Sequence, residues 1–472
     1  MRTNIAVKRD PIFTHEGARA TPTDSFHELK RSVLTCMLFE NSFYESGSEI
    51  AQRIAELVPK VKPERVAALA REARDRMNLR HVPLFLVREL ARIKGNGSLV
   101  AETLEHVVQR ADELSEFMAL YWKPKKETLS AGVKRGLARA FLKFSAYNLA
   151  KYDRANAVRL RDVLFLAHAK PKDEEQAAVW KKLVDGTLES PDTWEVELSA
   201  GKGKKETFER LMQEGKLGGL AVLRNLRNML EAGVDEAVIR ERLSQGISRA
   251  FPYRFVVAAK FAPRLEDAIE QAMFKAVEQC EPLPGKTGFL IDVSGSMDYR
   301  LGNQNESKTV LQHGLMAGTQ ETSRIDVAAG LGILLREKAP DVLMATFSNA
   351  LMEIPARRGF ALRDAIKNSQ PHGGTLLKAA LEVLKTHFAW KAVDRLIVIT
   401  DEQSQDGISE AWAPRSYVVN VAPNKNGVSY RDGWLHVDGW SEAVIDYIRE
   451  IEQMDAAERR VPRPYHPWRR PG

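Results

Sequence analysis

The sequence contains little cysteine and no long apolar run. Only two cysteines, Cys36 and Cys280, occur in 472 residues, far apart and each within a helix-like apolar pattern. Two distant thiols exclude a disulfide framework and a cysteine-based zinc site, and we expect both to be buried. No apolar run approaches the ~18 residues that span a membrane, and residues 1–10 lack the apolar segment of a secretion signal. These absences predict a cytoplasmic protein with no membrane contact.

The chain is long enough for more than one domain. A single hydrophobic core rarely extends beyond ~250–300 residues, so two or three domains are expected. With 44% hydrophobic and 28% charged residues, the composition is typical of a globular protein.

Most of the positive charge lies in one segment. The formal net charge is +7, yet between Lys123 and Lys172 thirteen Lys or Arg face only three acids, so the rest of the chain carries a net −3. Arg135, Arg139 and Lys143 recur every four residues, which predicts that they share one helix face. Further cations and aromatics follow in the order Phe144, Tyr147, Lys151, Tyr152, Arg154, Arg159, Arg161, His168, Lys170 and Lys172.

This basic segment has two interpretations. Basic side chains neutralise phosphates and exposed aromatics stack on unpaired bases, so the segment predicts a nucleic-acid-binding surface. The alternative is a solvated basic face whose aromatic side chains pack into the core. The size of the charge excess favours nucleic acid, because solubility does not require it.

Three short loops carry oxygen side chains at the ends of predicted strands. Asp292, Ser294 and Ser296 follow the apolar run 288–291, Thr375 follows two glycines ahead of an amphipathic helix, and Asp401 ends the apolar strand 395–400. In open α/β sheets, ligands bind at the carboxyl ends of strands. Oxygen-only ligation suits Mg²⁺, Mn²⁺ or Ca²⁺ rather than zinc, and we expect Mg²⁺.

The alternative for the first loop is a polar strand-to-helix turn in which Ser and Asp only cap a helix. All three loops occur in the expected order beside strands or helices, which favours the metal site over a cap. Together they resemble the metal-ion-dependent adhesion site of von Willebrand factor A domains. That resemblance implies an ion held mostly by neutral hydroxyls and waters, and a binding site without a general base or nucleophile.

The hydrophobic periodicity divides the chain into two parts. Residues 24–280 predict helix after helix, without β alternation, and suggest a HEAT-like solenoid. From Gly288 onward strands alternate with helices, which predicts a doubly wound, mostly parallel α/β sheet. The predicted helices of the first part are 25–40, 63–77, 82–93, 98–116, 132–149, 156–168, 174–184, 205–213, 219–231 and 264–279. In the second part we predict strands 288–292, 341–347, 395–400 and 416–421, and helices 327–336, 362–367, 376–387 and 441–453.

Two segments are expected to lack fixed structure. Residues 298–322 form a polar insertion between the Asp292 loop and the next predicted helix, and the tail 456–472 is rich in Arg and Pro. We expect the insertion to be flexible and the tail to be disordered.

An ordered series of short sequence motifs resembles the TROVE/Ro family over most of residues 10–455. The motifs are Thr14-His-Glu-Gly-Ala18, Leu34-Thr-Cys-Met-Leu-Phe-Glu40 with Phe43-Tyr44, Arg161-Asp-Val-Leu-Phe-Leu-Ala-His168 with Lys170-Pro171, Ala221-Val-Leu-Arg-Asn-Leu-Arg-Asn228, Pro252-Tyr-Arg-Phe255 and Gly285-Lys-Thr-Gly288. The resemblance implies a helical RNA-binding domain, residues 1–285, closed into a monomeric ring by an A domain, residues 286–455. It also implies that Y-like noncoding RNA binds the basic outer surface and that single-stranded ends of misfolded RNAs enter the hole.

Within this resemblance, His168 and Lys170 fall on an RNA-contact segment, with Lys143, Lys151, Arg154, Arg159 and Arg161 nearby. His168 has a second interpretation, as a core histidine that donates to a backbone carbonyl. Two further cations, Arg224 and Arg227, either face the hole or hold neighbouring helices together.

The sequence therefore predicts an RNA-binding scaffold for RNA quality control, which presents noncoding or defective RNA to an exoribonuclease or RNA repair enzyme. The alternative is a protein adaptor that uses the metal to hold an acidic partner. We expect no enzymatic activity, because no nucleotide loop, paired catalytic carboxylates or Ser/His/Asp order occurs in the sequence.

Overall fold

The first part of the chain is built from helices that stack in alternation. The computed structural model describes residues 11–20, 23–38, 45–123, 125–153, 157–189, 192–199, 203–247, 250, 252–278, 280–301, 322–429 and 433–460. Within the helical part, α3 packs on α5, α5 on α7 and α7 on α9, while α2 packs on α4 and α4 on α6. The helices are α1 Ser25–Leu34, α2 Gly47–Leu57, α3 Pro63–Asp75, α4 His81–Ala91, α5 Gly97–Val107, α6 Asp112–Tyr121, α7 Ala131–Phe141, α8 Ala146–Tyr152, α9 Leu160–Ala167, α10 Glu174–Asp185, α11 Trp194–Ser199, α12 Lys204–Gln213, α13 Gly219–Glu231, α14 Glu236–Ser244, α15 Pro252–Phe261 and α16 Glu266–Glu278.

Several predicted helix boundaries were wrong because polar side chains end helices early. The predicted helix 98–116 is two helices, since the buried Glu113 carboxylate accepts the backbone N–H groups of Gln109 (2.8 Å) and Arg110 (3.0 Å) and starts α6 there. The predicted helix 132–149 is also two, because Ser145 caps α8 by accepting from the N–H of Asn148 at 3.3 Å. Helices α2, α11, α14 and α15 were missed, as were the strands Leu351–Ile354 and Leu435–Asp438 and the short helix Phe388–Lys391 of the second part.

The second part of the chain contains a six-stranded sheet in the order β3-β2-β1-β4-β5-β6. Every neighbouring pair is parallel except β2 and β3, so the predicted doubly wound, mostly parallel sheet is confirmed. The chain leaves β1 toward β2 and later returns to pair β4 on its other side, which makes the β1/β4 edge a topological switch point. The strands are β1 Lys286–Asp292, β2 Asp341–Phe347, β3 Leu351–Ile354, β4 Arg395–Thr400, β5 Arg415–Asn420 and β6 Leu435–Asp438.

Helices cover both faces of the sheet and bury separate cores. Phe289 and Ile291 of β1 belong to a core shared with α12–α16, whereas Leu290 belongs to a smaller core on the opposite face. This alternation is the period-two signature of a strand buried on both faces. The helices of this part are α17 Arg324–Lys338, α18 Gly359–Lys367, α19 Leu377–Thr386, α20 Phe388–Lys391 and α21 Ala443–Arg460.

Both ends of the helical array contact the α/β part. At the late end, α15 packs on α17, where a Cβ on Gly330 would lie 2.8 Å from the backbone nitrogen of Tyr253. At the early end, the Ser441 hydroxyl donates to the Arg76 carbonyl at 3.0 Å, and a guanidinium N–H of Arg53 donates to the Pro423 carbonyl. The two parts of the chain are therefore joined at two separate places.

The cysteine prediction is half correct. Cys36 is buried, as expected, but Cys280 is only half-buried. Both thiols lie just beyond helix ends, after α1 and α16, rather than inside helices. Among the described residues, no helix is long and apolar enough to cross a membrane.

Candidate metal centre and basic surface

Asp292 is the last residue of β1 and is fully buried at the switch point of the sheet. Its Oδ1 accepts the N–H of Ser294 at 2.8 Å, and its Oδ2 accepts the hydroxyl of Thr400 at 2.6 Å. These two bonds fix the carboxylate between the ends of β1 and β4.

Ser294 and Ser296 lie in the tight turn that follows β1, with their hydroxyl oxygens 3.2 Å apart. The Ser296 hydroxyl also bonds the carboxylate of Asp401, whose Oδ1 accepts the N–H of Gln403 at 3.1 Å. The loop after β1 and the loop after β4 are therefore in direct contact.

Thr375 is brought to the same place by its two preceding glycines. The Gly295 N–H donates to the Gly373 carbonyl at 2.8 Å, which joins the Thr375 loop to the first loop. The Gly373 N–H in turn donates to the hydroxyl of Ser348, just beyond β2, at 2.7 Å. Thr375 itself is buried, and its carbonyl accepts the N–H of Gln405 at 2.9 Å.

The electrostatics of this cluster suit a divalent cation. Burial, together with repulsion from Asp401, raises the pKa of Asp292 above its usual range, and burial also raises the pKa of Asp401. Two adjacent buried carboxylates repel each other, and an oxygen-seeking ion placed between them would relieve that repulsion. In the described part of the chain, no group of three or more His, Cys, Asp or Glu side chains could hold a metal ion. The candidate donors around Asp292 are instead two carboxylates and three hydroxyls.

The predicted basic surface begins on α7. Arg135 and Arg139 are exposed on one face of this helix. On the opposite face, a Cβ on Gly136 would lie 2.9 Å from the Cβ of Leu104 in α5. The close approach of α5 and α7 therefore sets which side of α7 faces solvent.

Lys143 does not belong to that face, which corrects the four-residue spacing argument. Helix α7 ends at Phe141, and the Lys143 ammonium donates to the carbonyls of Glu105 and Val108 at the end of α5. Burial lowers the pKa of Lys143. This lysine thus caps a neighbouring helix, because carbonyls at a helix C-terminus attract cations.

The remaining predicted cations differ in how freely they face solvent. Lys170 and Lys172 are exposed, whereas Lys151 and Arg161 are partly buried. The Arg159 guanidinium forms an ion pair with the Asp153 carboxylate at 3.0 Å, which was not predicted from the sequence. Arg154 lies outside the described residues.

His168 ends α9 as an exposed residue in the left-handed conformation, with φ 52° and ψ 41°. The alternative of a core histidine is therefore wrong. Two of the aromatic rings predicted to stack on bases are covered by the protein itself. Phe144 is buried, and the Tyr152 ring lies under the Arg110 guanidinium, 4.8 Å from it.

Arg227, for which two roles were left open, pairs with Glu231 of its own helix at 2.8 Å. Its guanidinium also lies 5.9 Å from the Phe261 ring of α15, so it contacts a neighbouring helix. The insertion 298–322 is described only at its ends, where the Leu301 N–H donates to the Thr322 carbonyl at 2.6 Å. Residues 302–321 and the tail beyond residue 460 lie outside the described residues.

Comparison with known proteins identifies the later section of the helical part. The TROVE domain matches residues 186–281 of this chain. This chain therefore contains a segment of the TROVE domain family.

Other similarities of this chain differ in extent. Telomerase protein component 1 of Mus musculus is 35% identical over 107 residues, and that of Rattus norvegicus is 34% identical over 107 residues. Each match covers 21% of this chain and 4% of the relative, so the chain matches only a small part of these relatives. The crystal structure of Deinococcus radiodurans RO (RSR) protein has a TM-score of 0.55 and 20% identity, and the match covers 90% of this chain and 100% of that one. This last similarity concerns the fold.

A buried polar network beside the candidate metal centre was not predicted from the sequence. Glu402 follows Asp401 with a positive φ of 61° and pairs with Arg31 of α1 and with His436 of β6. Burial opposes ionisation of Glu402, but Arg31 and His436 lower its pKa to about 2. No local sequence motif indicates this network, because Arg31 and Glu402 are 371 residues apart in the sequence.

Proposed function

We propose that this chain is a cytoplasmic RNA-binding scaffold, not an enzyme, and that RNA binds the basic surface formed by Arg135, Arg139, Lys151, Arg161, His168, Lys170 and Lys172. The observation that carries the proposal is that three of these cations have no acidic partner in the described part of the chain. Three others have only distant ones, since Arg139, Arg161 and Lys172 lie 3.6 Å, 3.9 Å and 3.7 Å from Glu105, Asp162 and Asp173. Among the described residues, no carboxylate lies within salt-bridge distance of Arg135, Lys151 or Lys170. Uncompensated cations of this kind repel one another until phosphates neutralise them.

The RNA class that this surface supports is a structured noncoding RNA of the Y-like type. Exposed arginines and lysines contact phosphates without reading sequence, so they suit a ligand recognised by shape. Defective or misfolded RNAs with single-stranded ends are the second class, and an exoribonuclease or RNA repair enzyme would act on the RNA so presented.

We further propose that the helical array is a HEAT-like solenoid closed into a monomeric ring by the α/β part. The stacking of alternate helices supports the solenoid. The contacts of both α1 and α15 with the α/β part support closure. A ring would leave a central hole through which a single strand passes.

In this proposal Asp292, Ser294, Ser296, Thr375 and Asp401 form a metal-ion-dependent adhesion site in a von Willebrand factor A-like domain, residues 286–455. They would hold Mg²⁺, with Mn²⁺ or Ca²⁺ as the alternatives, because their donors are hydroxyl and carboxylate oxygens. The ion would neutralise the two carboxylates. Thr400 and the Ser294 N–H keep the Asp292 carboxylate oriented toward the site.

The alternative function, an adaptor that holds an acidic partner at the metal, has less support. The chain's own N-terminal segment covers the loop beside Asp401: the Thr14 hydroxyl donates to the Ser404 carbonyl at 2.8 Å, and the Gln405 amide donates to Glu16 at 3.1 Å. A partner would have to approach past this segment.

A salt titration tests the RNA function. The affinity of the wild-type protein for structured RNA and for single-stranded RNA is measured at several salt concentrations. If about six phosphates are neutralised, log affinity should fall with log salt at a slope of about −4 to −5. Binding no tighter than the nonspecific range of ~10⁻⁴ to 10⁻⁶ M at physiological salt would remove the basis of the proposal.

A further inference from the structure

Large apolar side chains are exposed within the basic surface. Phe165 of α9 is 59% exposed and Tyr147 of α8 is 51% exposed, and Leu142 and Leu166 beside them also face solvent. Burying a side chain of this size stabilises a folded protein, and an exposed phenylalanine forgoes most of that gain. A ring held in solvent among cations is available to a ligand.

Each of these two rings has a cation one helical turn away. Phe165 lies four residues after Arg161, so these two share one face of α9, and His168 follows just beyond the end of that helix. Tyr147 lies four residues before Lys151 in α8, and the Lys151 ammonium is 6.0 Å from the ring centroid. The same pairing of ring and cation thus occurs on two helices.

The two pairs lie on helices that share a neighbour. Helices α8 and α9 both pack against α10. The left-handed His168 ends α9 three residues after Phe165, with its N–H donating to the Phe165 carbonyl at 3.1 Å. The chain then turns into the exposed Lys170 and Lys172. Acids are also present, since Asp162 and Asp173 lie beside Arg161 and Lys172 at 3.9 Å and 3.7 Å and two exposed glutamates begin α10, but none of these carboxylates is paired with Lys170.

A phosphate gains nothing from an exposed ring, whereas a nucleobase does. Stacking of a base on an aromatic side chain stabilises the complex, and it requires a base that is not already stacked inside a duplex. The cations would bind the flanking phosphates while the ring accepts the base.

We propose that Phe165 is a base-stacking residue, with Tyr147 as a second platform, and that the RNA bound at this surface carries unpaired bases next to a helical stem. This inference rests on the proposed RNA function. It adds a specificity that the cations cannot supply, because a continuous duplex offers phosphates but no free base.

The test compares two hairpin RNAs that differ only in one unpaired 2-aminopurine in the stem. Phe165→Leu keeps an apolar side chain and the helix but removes the ring. We expect it to weaken binding of the bulged hairpin about tenfold, to leave the continuous hairpin within about twofold, and to abolish the fluorescence quenching of 2-aminopurine. Phe165→Trp should restore both the affinity and the quenching.

Phe388→Leu is the matched control, because Phe388 is 89% exposed but lies on the α/β part of the chain. It should change neither hairpin. An equal loss of affinity for both hairpins in Phe165→Leu, or wild-type binding without quenching, would overturn the stacking role. If wild type binds neither hairpin, the proposed RNA function itself fails. If both bind equally and only Arg135→Gln weakens them, that function stands and the stacking inference falls.

Discussion

Arg31 in the first helix forms a buried ion pair with Glu402, the residue that follows Asp401 of the candidate metal centre. The same guanidinium donates to the Asn424 carbonyl at 2.6 Å and to the Asn426 carbonyl at 3.2 Å. One side chain therefore ties the start of the helical array to the loop after β4. Three hydrogen-bond partners compensate for the burial of its charge.

Arg31→Met should destabilise the protein strongly. The substitution leaves the Glu402 carboxylate buried with only His436 as a nearby cation, and breaking a buried pair costs about 3 kcal/mol. Urea denaturation monitored by circular dichroism measures the loss. Arg76→Gln is the control at the same junction, because Arg76 and Glu450 pair at 3.3 Å while both are more than half exposed. It should cost less than about 1 kcal/mol. Equal losses for the two variants would contradict a stabilising role of the buried pair.

Stability should fall as pH rises above neutrality because of His436. Burial opposes its protonation, but the carboxylates of Asp438 and Glu402 overcome this effect and raise its pKa from 6.5 to about 9, even with Arg31 3.3 Å away. A pKa raised in the folded state gives stabilisation that is complete below the unfolded value and is lost as pH rises through the folded value. The window therefore runs from pH 6.5 to about 9, and the loss is at most about 3 kcal/mol.

The measurement is the free energy of unfolding at both ends of that window, for wild type and for His436→Gln. The variant lacks the titrating imidazole, so its stability should vary less across the window. An unchanged slope in the variant would assign the pH dependence to other groups.

Divalent metal should stabilise the wild type, and Asp401→Asn should remove that increment. At a hundredfold excess over the dissociation constant the gain is ~2.7 kcal/mol, seen as a rise in melting temperature with Mg²⁺ and a fall with a chelator. The metal-free variant should be no less stable than wild type, since an amide oxygen can still accept the Gln403 N–H while the repulsion with Asp292 disappears. Asp406→Asn is the control: this carboxylate caps α19 through the N–H groups of Lys378 and Ala379, so the metal increment should persist. If Mg²⁺, Mn²⁺ and Ca²⁺ all leave the melting temperature of the wild type unchanged, the proposed metal site is excluded.

Arg135 and Lys143 should respond differently to substitution, although the sequence spacing places them together. Replacing both Arg135 and Arg139 by Gln should reduce the magnitude of the salt slope of RNA affinity by roughly 1.5, because each phosphate contact contributes about 0.7–0.9. Lys143→Gln should leave the slope unchanged and instead lower stability by about 1 kcal/mol, since it removes a cation from two helix-end carbonyls. A slope lowered equally by Lys143→Gln would place this lysine back on the RNA surface.

Deleting residues 302–321 should leave a folded protein that still binds RNA. The Leu301 N–H and the Thr322 carbonyl are 2.6 Å apart, so a two-glycine link can close the gap. RNA affinity should stay within a few-fold of wild type, as measured by titration against the structured RNA. A shortened protein with native circular dichroism and no RNA binding would show that the insertion takes part in recognition.

Local periodicity was enough to divide the chain and to locate the strands that carry the candidate metal centre. Strands β2 and β4 have the bounds predicted from their apolar runs, because the middle of a strand buried on both faces is apolar. The ordered loops after β1 and β4 placed Asp292 and Asp401 at one edge, since parallel strands bring their carboxyl ends together. The helix breaks near residues 108 and 143 were missed because side chains such as Glu113, and not the periodicity, end the helices there.

The tertiary structure alone decided which partners the charged side chains have. Lys143 and Arg135 look equivalent in the sequence, yet one reaches the carbonyls at the end of α5 and the other has no acidic neighbour among the described residues. Phe144 and Phe165 are likewise the same residue type in the same basic segment, but Phe144 packs in the core and Phe165 is exposed. The pairing of Arg31 with Glu402 has no local signal, because its partners come from opposite ends of the chain. Hydrophobic periodicity shows which face of a helix or strand is buried on average. The partner of an individual polar group depends instead on which distant part of the backbone lies against it.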